Sequence, residues 1–368
     1  MNVPWFILLS TPFVLYVVFS LLLSYGLSRK YPRIKNPHFP ATVIVSARNE
    51  AENILACLQS LEALDYPENL LEIIVVNDRS EDETEQIITE FIDQKPCFKY
   101  FKISKSIPDL SGKASAISQA IEQSQGEIIF ITDADCVVPE NWIKKTILYF
   151  AGQVGMVAGF TLLNFSRGTF NNIQNLDWAY LLSVAAGAAG LGIPLTCMGN
   201  NFAFRRSAYE MVGGYHGVGF SVTEDFALLK AIARRTSWKI RFAIDRECLV
   251  KTKPMISWKD FFNQRKRWAV GGQSVHWLGK LLIGISMVTN FILIGSVIFS
   301  QNYSFILSLL LCMFIGDYLL VRSSAKQLNA KLHLKYLPFY RIFFILYSTV
   351  LLFDLLFNRK VIWKGIQY

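Results

Sequence analysis

Long apolar runs near both ends of the chain constrain its fold more than any other feature. The first covers residues 3–27, and three later runs cover residues 281–299, 305–321 and about 338–357. Each reaches or approaches the roughly 20 residues that a helix needs to cross the hydrocarbon core of a bilayer. Hydrophobic residues make up 52% of the chain and charged residues 18%, which is too apolar for an ordinary soluble protein. The sequence therefore predicts an integral membrane protein.

The first apolar run could be a cleaved signal peptide or a retained anchor. It exceeds the roughly 7–15 residues of a signal-peptide core, and no small-residue cleavage site is evident. Four basic residues follow the run: Arg29, Lys30, Arg33 and Lys35. We therefore expect residues 1–28 to form a transmembrane anchor whose basic flank lies in the cytoplasm.

The basic residues are distributed as in membrane proteins rather than as in nucleic-acid-binding proteins. The formal net charge is +9, but the cations do not form one stripe interleaved with exposed aromatic residues. A second basic cluster lies between later apolar runs and contains Arg322, Lys326, Lys331 and Lys335. Such clusters are typical of cytoplasmic flanks that meet anionic lipids. The pattern predicts contact with membrane lipids, no nucleic-acid partner and a soluble domain in the cytoplasm. A bacterial inner membrane is the expected location.

The sequence leaves the number of C-terminal spans open, because residues 281–368 can form two or three membrane segments. Three full spans would place Arg359, Lys360 and Lys364 on the side opposite the second basic cluster, against the usual charge bias. A re-entrant or interfacial last segment would remove that conflict.

The six cysteines do not indicate a zinc site or a disulfide framework. They are scattered without a CxxC pair, and only four histidines accompany them. We expect reduced thiols in a cytoplasmic domain.

Between the apolar runs, residues 40–253 alternate between short β-branched runs and amphipathic stretches. This pattern predicts one α/β domain with a parallel sheet. The predicted strands cover residues 42–46, 71–76 and 127–132, and the predicted helices cover residues 51–63, 81–94 and 111–124. Ligands bind beyond the carboxyl ends of the strands in such sheets, so polar residues at those ends are the first candidates for a site.

Two aspartates, Asp133 and Asp135, follow the strand at residues 127–132. Side chains two positions apart in an extended segment lie on one side, so both carboxylates can face one target. They would repel each other unless a cation joins them. A hard, oxygen-binding ion such as Mg²⁺ or Mn²⁺, bridging to a diphosphate, is the natural candidate.

Asp78 and Lys113 lie at two other element ends. Asp78 follows the strand at residues 71–76, where it could accept hydrogen bonds from a base or ribose, or could cap a helix beginning near Glu81. Lys113 follows Gly112 at a helix start, where outward backbone N–H groups suit a phosphate. The glycine spacing is not that of a P-loop.

Glu224 and Asp225 begin another predicted helix. Acids in a first turn are favoured by the helix dipole, which would explain both without any chemistry. Alternatively, Asp225 could act as a general base that takes a proton from an attacking hydroxyl.

The order of these motifs is more specific than any one of them. Residues 47–50 (ARNE), Asn77-Asp78, Gly112-Lys113, Asp133-Ala-Asp135, Glu224-Asp225 and residues 264–268 (QRKRW) follow one another over residues 40–270. In this order they resemble the membrane-bound family 2 glycosyltransferases, whose nucleotide-sugar-binding domain has the Rossmann-like GT-A fold. The resemblance implies an α/β GT-A domain with flanking transmembrane helices.

The resemblance also implies roles for individual residues. Glu50, Asp78 and Lys113 would contact the nucleoside or its phosphates, Asp133 and Asp135 would engage the nucleotide sugar and the metal, and Asp225 would be the base. Asp135 is the better candidate for the direct metal ligand. The QxxRW residues would close over the diphosphate: Gln264, Arg267 and Trp268. Residues 254–280 could equally form basic interfacial helices, with Arg265, Lys266 and Arg267 beside Trp258, Trp268 and Trp277.

The acceptor side is less defined by the resemblance. Relatives have a glycine-containing turn near the acceptor where this chain has Gly199, Asn200 and Asn201, and Glu224 would lie on the same side. The segment departs from the form found in cellulose and hyaluronan synthases. The glycine-rich stretch at residues 179–195 is read as a helix and loop near the membrane, not as a span.

The resemblance implies an inverting transfer from a nucleotide sugar, expected to be UDP-linked, to a membrane acceptor. A lipid is the expected acceptor, as in ceramide glucosyltransferase-like enzymes. A processive synthase of the cellulose, hyaluronan or poly-N-acetylglucosamine type, which makes a glycan, is the first alternative. A non-catalytic nucleotide-sugar-binding membrane protein is the second.

Overall fold

The computed structural model describes residues 5–35, 37–108, 110, 112–164, 168–358, 362–363 and 366–367. The chain forms two compact units. The membrane unit comprises Met1–Arg29, Phe165–Leu195 and Pro254–Tyr368, and the sheet unit comprises Lys30–Asn164 and Thr196–Lys253. We had expected residues 40–253 to form one domain, but residues 165–195 from the middle of that range belong to the membrane unit.

Helices and strands alternate through the sheet unit, and long helices dominate the membrane unit. The helices are α1 (Trp5–Ser28), α2 (Ile54–Glu62), α3 (Thr84–Ile92), α4 (Lys113–Gln123), α5 (Trp142–Ile147), α6 (Thr169–Gly190), α7 (Arg206–Met211), α8 (Gly214–Val218), α9 (Glu224–Arg235), α10 (Trp258–Gly271), α11 (Trp277–Phe299), α12 (Tyr303–Gln327) and α13 (Leu337–Phe357). The strands are β1 (Ala41–Ala47), β2 (Leu71–Asn77), β3 (Phe98–Lys102), β4 (Ile128–Asp133), β5 (Val154–Gly159), β6 (Thr161–Leu163), β7 (Phe202–Arg205), β8 (Lys239–Ala243), β9 (Val250–Thr252), β10 (Ile362–Trp363) and β11 (Ile366–Gln367).

The sheet unit is built on a seven-stranded sheet in the order β3-β2-β1-β4-β7-β5-β8. The strands β3, β2, β1 and β4 are parallel, with β1 flanked by β2 and β4. Their β-branched side chains are buried, as expected for a sheet covered on both faces. The three predicted strands are therefore confirmed, with ends that differ by at most one residue.

One strand, β7, departs from the parallel pattern of the predicted strands. This strand lies between β4 and β5 and runs antiparallel to both. It has four residues, Phe202–Arg205, all but the last buried. A short apolar run has the same side-chain pattern in either direction, so its periodicity carries no information about orientation.

Helices α2 and α3 begin three residues later than predicted, because side chains hold the preceding residues in turns. Asn49 Oδ1 accepts a hydrogen bond of 2.9 Å from Glu81 N, and Asp82 Oδ2 accepts one of 3.1 Å from Ala51 N. Asn49 and Arg79 have left-handed backbone conformations, with φ of 54° and 57°. These bonds fasten the loops after β1 and β2 to each other at the carboxyl edge of the sheet. Helix α4 begins at Lys113, and the predicted first residue, Ser111, lies outside the described residues.

Among its described residues, the membrane unit contains four helices that are long and apolar enough to cross a membrane. They are Phe6–Ser28, Trp277–Phe299, Tyr303–Gln327 and Leu334–Phe357. The last of these contains α13, a continuous helix of 21 residues, so all three C-terminal segments qualify as spans by length and composition. The tail cations Arg359, Lys360 and Lys364, on which the charge-bias argument rested, lie outside the described residues.

Helix α6 confirms the expectation of a helix followed by a loop at residues 179–195, since it ends at Gly190. It has 22 residues and begins at Thr169, ten residues earlier than expected. Its glycines allow the backbone of α1 to approach: a Cβ atom at Gly187 would lie 2.5 Å from the Leu23 carbonyl oxygen, and one at Gly190 would lie 2.0 Å from that of Gly26. The glycines therefore serve helix packing rather than chain flexibility.

A buried polar cluster joins four helices of the membrane unit. Arg341 on α13 donates to Asp317 on α12 through Nε, at 2.6 Å from Oδ2. Tyr16 on α1 donates to Asp317 Oδ1 at 2.5 Å, and its hydroxyl lies 2.8 Å from that of Tyr180 on α6. Each of the four side chains is at most 8% exposed. Charges in such surroundings are retained when they are paired and hydrogen-bonded.

Candidate active site

The candidate site lies at the carboxyl edge of the parallel strands in the sheet unit. In the register of the sheet, Ala47 pairs with Asn77 and Ser46 pairs with Asp133. Asp78, immediately after β2, and Asp133, at the end of β4, are therefore brought to the same edge. This is the edge at which open α/β sheets bind ligands.

Lys113 connects the residues predicted for the donor side with those predicted for the acceptor side. Its ammonium group contacts the Asp133 carboxylate, donates to the Gly199 carbonyl at 2.9 Å and lies 3.3 Å from Glu224 Oε1. Burial opposes the charged form of the lysine, but the carboxylates of Asp133 and Glu224 outweigh it and raise the Lys113 pKa. Lys113 is thus a fixed cation between two acids.

Asp135 lies beyond β4 and is half buried. Its carboxylate accepts a hydrogen bond of 3.1 Å from Thr252 Oγ1. Burial, followed by the negative charges of Asp133 and Glu50, raises the pKa of Asp135 to about 6. A carboxylate whose ionised form is disfavoured by neighbouring acids would be stabilised by an added cation.

The chemistry of this donor set fits a hard divalent ion. Asp133 and Asp135 offer carboxylate oxygens, the ligands that Mg²⁺ and Mn²⁺ prefer. In the described part of the chain, no three His, Cys, Asp or Glu side chains form a group that could hold a metal. Water and substrate phosphates usually supply the remaining ligands of Mg²⁺ at phosphate sites.

Asp78 does not cap a helix, so that alternative was wrong. Helix α3 begins at Thr84, and its capping position is held by Glu83 without a side-chain bond. Asp78 is 4% exposed and accepts hydrogen bonds from Arg79, with Nε at 2.9 Å. Glu50, in the loop after β1, accepts a hydrogen bond of 2.6 Å from Asn53 Nδ2.

Glu224 and Asp225 are the first two residues of α9, as predicted, and are 8% and 9% exposed. Both lie in the first turn, where the helix dipole favours acids. The dipole alone does not account for the contact of Glu224 with Lys113. Gly199 lies against the other acid, because a Cβ atom there would be 3.2 Å from Asp225 Oδ2.

Asn200 and Asn201 are buried and bonded within the fold. The Asn201 amide nitrogen donates to the carbonyls of Phe160 at 2.7 Å and Cys248 at 2.9 Å, and its oxygen accepts from Trp142 Nε1 at 3.0 Å. Asn200 Oδ1 accepts from a threonine hydroxyl at 2.8 Å. These contacts fix the turn that carries Gly199, so the two asparagines position this side of the site.

The QxxRW motif lies on α10 in the membrane unit. Arg265 and Lys266 are only 4% and 6% exposed and form ion pairs with Asp177 and Asp354. These two cations are paired inside the protein, whereas Trp258 at the start of α10 and Trp277 at the start of α11 are largely exposed. The interfacial position of residues 254–280 stays a prediction. The predicted interfacial region at residues 254–280 contains one helix, α10, and the start of α11.

Sequence reasoning missed the acids that pair with buried cations of the membrane unit: Arg265, Lys266 and Arg341. Asp177, Asp317 and Asp354 each lie in apolar surroundings within helices of the membrane unit. An isolated acid in an apolar helix is itself a signal, because such a residue requires a partner.

Comparisons with known proteins agree with this geometry. Residues 42–213 match the profile "Glycosyl transferase family 2", and residues 128–354 match "Glycosyl transferase family group 2". The chain is also similar in fold to a mannosyltransferase from Pyrobaculum calidifontis, solved in complex with GDP-Man and Mn²⁺. That match has a TM-score of 0.61 and 17% identity, and it covers 96% of this chain and 98% of the other.

Curated relatives align with nearly two thirds of the chain. A probable glycosyltransferase of Bacillus subtilis, YdaM, is 32% identical over 64% of this chain and 55% of its own length. A beta-monoglucosyldiacylglycerol synthase of Synechocystis is 28% identical over 64% and 48%. A poly-beta-1,6-N-acetyl-D-glucosamine synthase of Staphylococcus epidermidis is 29% identical over 63% and 54%. The aligned part is thus about half the length of these relatives.

The family profiles together extend from the first strand of the sheet to the last long helix, and the chain belongs to the family 2 glycosyltransferases.

Proposed function

We propose that the protein transfers a sugar from a nucleoside-diphosphate donor to a lipid acceptor in the membrane. The observation that carries the proposal is the position of Lys113, whose ammonium group contacts both Asp133 and Glu224. Lys113 thus links Asp133, at the end of β4, to Glu224, at the start of α9. We expect Asp133 to face the donor. Family 2 membership and the lipid and glycan synthases among the relatives support the same reaction.

On the donor side, Glu50 and Asp78 hold the nucleoside, and Asp133 and Asp135 hold a divalent cation, Mg²⁺ or Mn²⁺. When bound, this ion supplies positive charge that neutralises the diphosphate leaving group. Lys113 holds the Asp133 carboxylate in place. Gln264, Arg267 and Trp268 remain predicted donor-binding residues on the strength of the motif.

On the acceptor side, Asp225 accepts the proton of the attacking hydroxyl. One in-line displacement at the anomeric carbon then forms the new glycosidic bond, breaks the bond to the diphosphate and inverts the configuration. Gly199 leaves space beside Asp225, since any larger side chain there would press on the carboxylate.

The relatives support two kinds of acceptor, a diacylglycerol-based lipid and a growing glycan. We favour the lipid because residues 199–201 depart from the form found in cellulose and hyaluronan synthases. We place the protein in a bacterial inner membrane with the sheet unit in the cytoplasm, since the basic clusters at residues 29–35 and 322–335 flank candidate spans.

The test uses the purified full chain in nanodiscs containing diacylglycerol, supplied separately with radiolabelled UDP-glucose, UDP-N-acetylglucosamine and GDP-mannose plus Mn²⁺. We expect one donor to yield a singly glycosylated lipid, identified by chromatography and mass spectrometry. A polymer that stays at the origin would establish the synthase alternative. Donor binding without turnover, identical in wild type and Asp225→Asn, would establish the non-catalytic alternative.

A further inference from the structure

Helix α10 carries a buried cation, Arg265, that does not belong to the QxxRW pattern. Its guanidinium forms an ion pair with Asp177 on α6, with Nε at 2.8 Å and Nη2 at 2.6 Å from Oδ2. The other Asp177 oxygen accepts a hydrogen bond of 2.9 Å from the Tyr347 hydroxyl on α13. The side chains of Asp177 and Arg265 are 0% and 3% exposed. One acid of α6 is thus bonded to both α10 and α13.

The same guanidinium contacts two of the three QxxRW side chains. Arg265 Nη1 donates to Gln264 Oε1, and its central carbon lies 4.3 Å from the centroid of the Trp268 ring. Trp268 is also held edge-on by Trp178, a neighbour of Asp177 on α6, with ring centroids 5.3 Å apart. Because Arg265 occupies the Gln264 oxygen, the Gln264 amide nitrogen is directed away from it.

Stability alone is a weak explanation for this pair. Removing two charges from water costs several kcal/mol per ion, and apolar residues of similar volume often replace a buried ion pair with little loss of stability. A directional pair can instead fix one orientation of its neighbours. Here those neighbours are the amide of Gln264 and the ring of Trp268.

We propose that Asp177 and Arg265 are positioning residues that set the orientations of Gln264 and Trp268. The inference rests on the proposed function, since it concerns side chains predicted to bind the donor. It assigns a role to a position within QxxRW that the motif leaves unspecified, and to an acid some 90 residues earlier in the chain.

The decisive variant is the double replacement Asp177→Leu/Arg265→Met, which exchanges the pair for apolar side chains. The matched control is Asp317→Leu/Arg341→Met, which does the same to the other buried pair of the membrane unit, away from QxxRW. Both doubles should melt near the wild-type temperature. We expect the first to raise the donor KM by about tenfold or more, because loose groups bind the donor less well, and the control to keep KM within about twofold.

A wild-type KM and kcat in the first double would overturn the inference. If the Asp177→Leu/Arg265→Met protein fails to fold, the single variant Arg265→Lys tests the inference instead. Lysine keeps the charge but lacks the planar guanidinium group that reaches Asp177 and Gln264 together. A raised donor KM in a well-folded Arg265→Lys protein supports positioning, and an unchanged KM overturns it. Failure of the proposed function is distinguishable, because the wild type itself would then transfer no sugar.

Discussion

The ammonium group of Lys113 lies 3.3 Å from Glu224 Oε1 while it also contacts the carboxylate of Asp133. Removing this cation would leave two neighbouring buried or half-buried acids to repel each other. We therefore expect Lys113→Met to lower kcat/KM by roughly 100-fold or more, since both acids lose their fixed positions. Steady-state kinetics measure the loss. Lys113→Arg, which keeps the charge, is the control and should retain more activity; equal activity in Lys113→Met and wild type would contradict the role.

Asp225→Asn tests the general base. The substitution keeps the size of the side chain but removes its ability to accept a proton. We expect kcat to fall by roughly 10²–10⁴-fold, while the affinity for the donor, measured by calorimetry, stays within about twofold of wild type. Glu224→Gln is the comparison, because Glu224 contacts Lys113 and its loss should resemble the loss of Lys113 instead. An active Asp225→Asn protein would refute the assignment.

Asp135→Ala tests the metal site. With wild type, we expect EDTA to abolish transfer and Mn²⁺ to restore it, because the cation balances the charge of the diphosphate. In Asp135→Ala, titration with UDP or GDP should no longer respond to Mn²⁺. Thr252→Val is the control, since it removes only the hydroxyl that donates to Asp135 and should preserve the response. An unchanged response in Asp135→Ala would rule out this ligand.

Gly187→Ala tests the contact between α1 and α6. A Cβ atom there would lie 2.5 Å from a backbone oxygen of α1, which cannot move without moving the helix. We expect a loss of roughly 1–3 kcal/mol in stability, seen as a lower melting temperature in detergent. Gly284→Ala, on α11, is the control, because no atom within 4 Å would meet its Cβ. Equal melting temperatures would show that α1 and α6 can separate without cost.

The candidate acids were predictable from sequence because their positions depend on local pattern. Asp133 ends a β-branched run and Asp78 follows one, and because the two parallel strands flank β1, both acids lie at one edge of the sheet. The direction of β7 was not predictable, because a strand of only four residues, Phe202–Arg205, can pair in either direction.

The partners of the buried charges were beyond sequence reasoning for a different reason. Asp177 and Arg265 are 88 residues apart, and Asp317 and Arg341 are 24 apart on different helices. Such pairs depend on how helices pack, which no periodicity within one helix encodes. The packing of α6 was not predictable for the same reason, because the sequence does not show that its glycines allow close approach to α1.

Helix α1 was expected to be an anchor, and the close approach of its backbone to α6 shows that it also packs specifically within the membrane unit. Glycines at Gly26, Gly187 and Gly190 let main chain touch main chain, and Tyr16 of the same helix donates to Asp317. A helix that serves only as an anchor can be exchanged for any apolar segment of equal length, whereas a helix that packs closely against its neighbours cannot. A generic leucine-rich span in place of α1 would therefore still insert into the membrane but would lose the specific contacts that hold the membrane unit together.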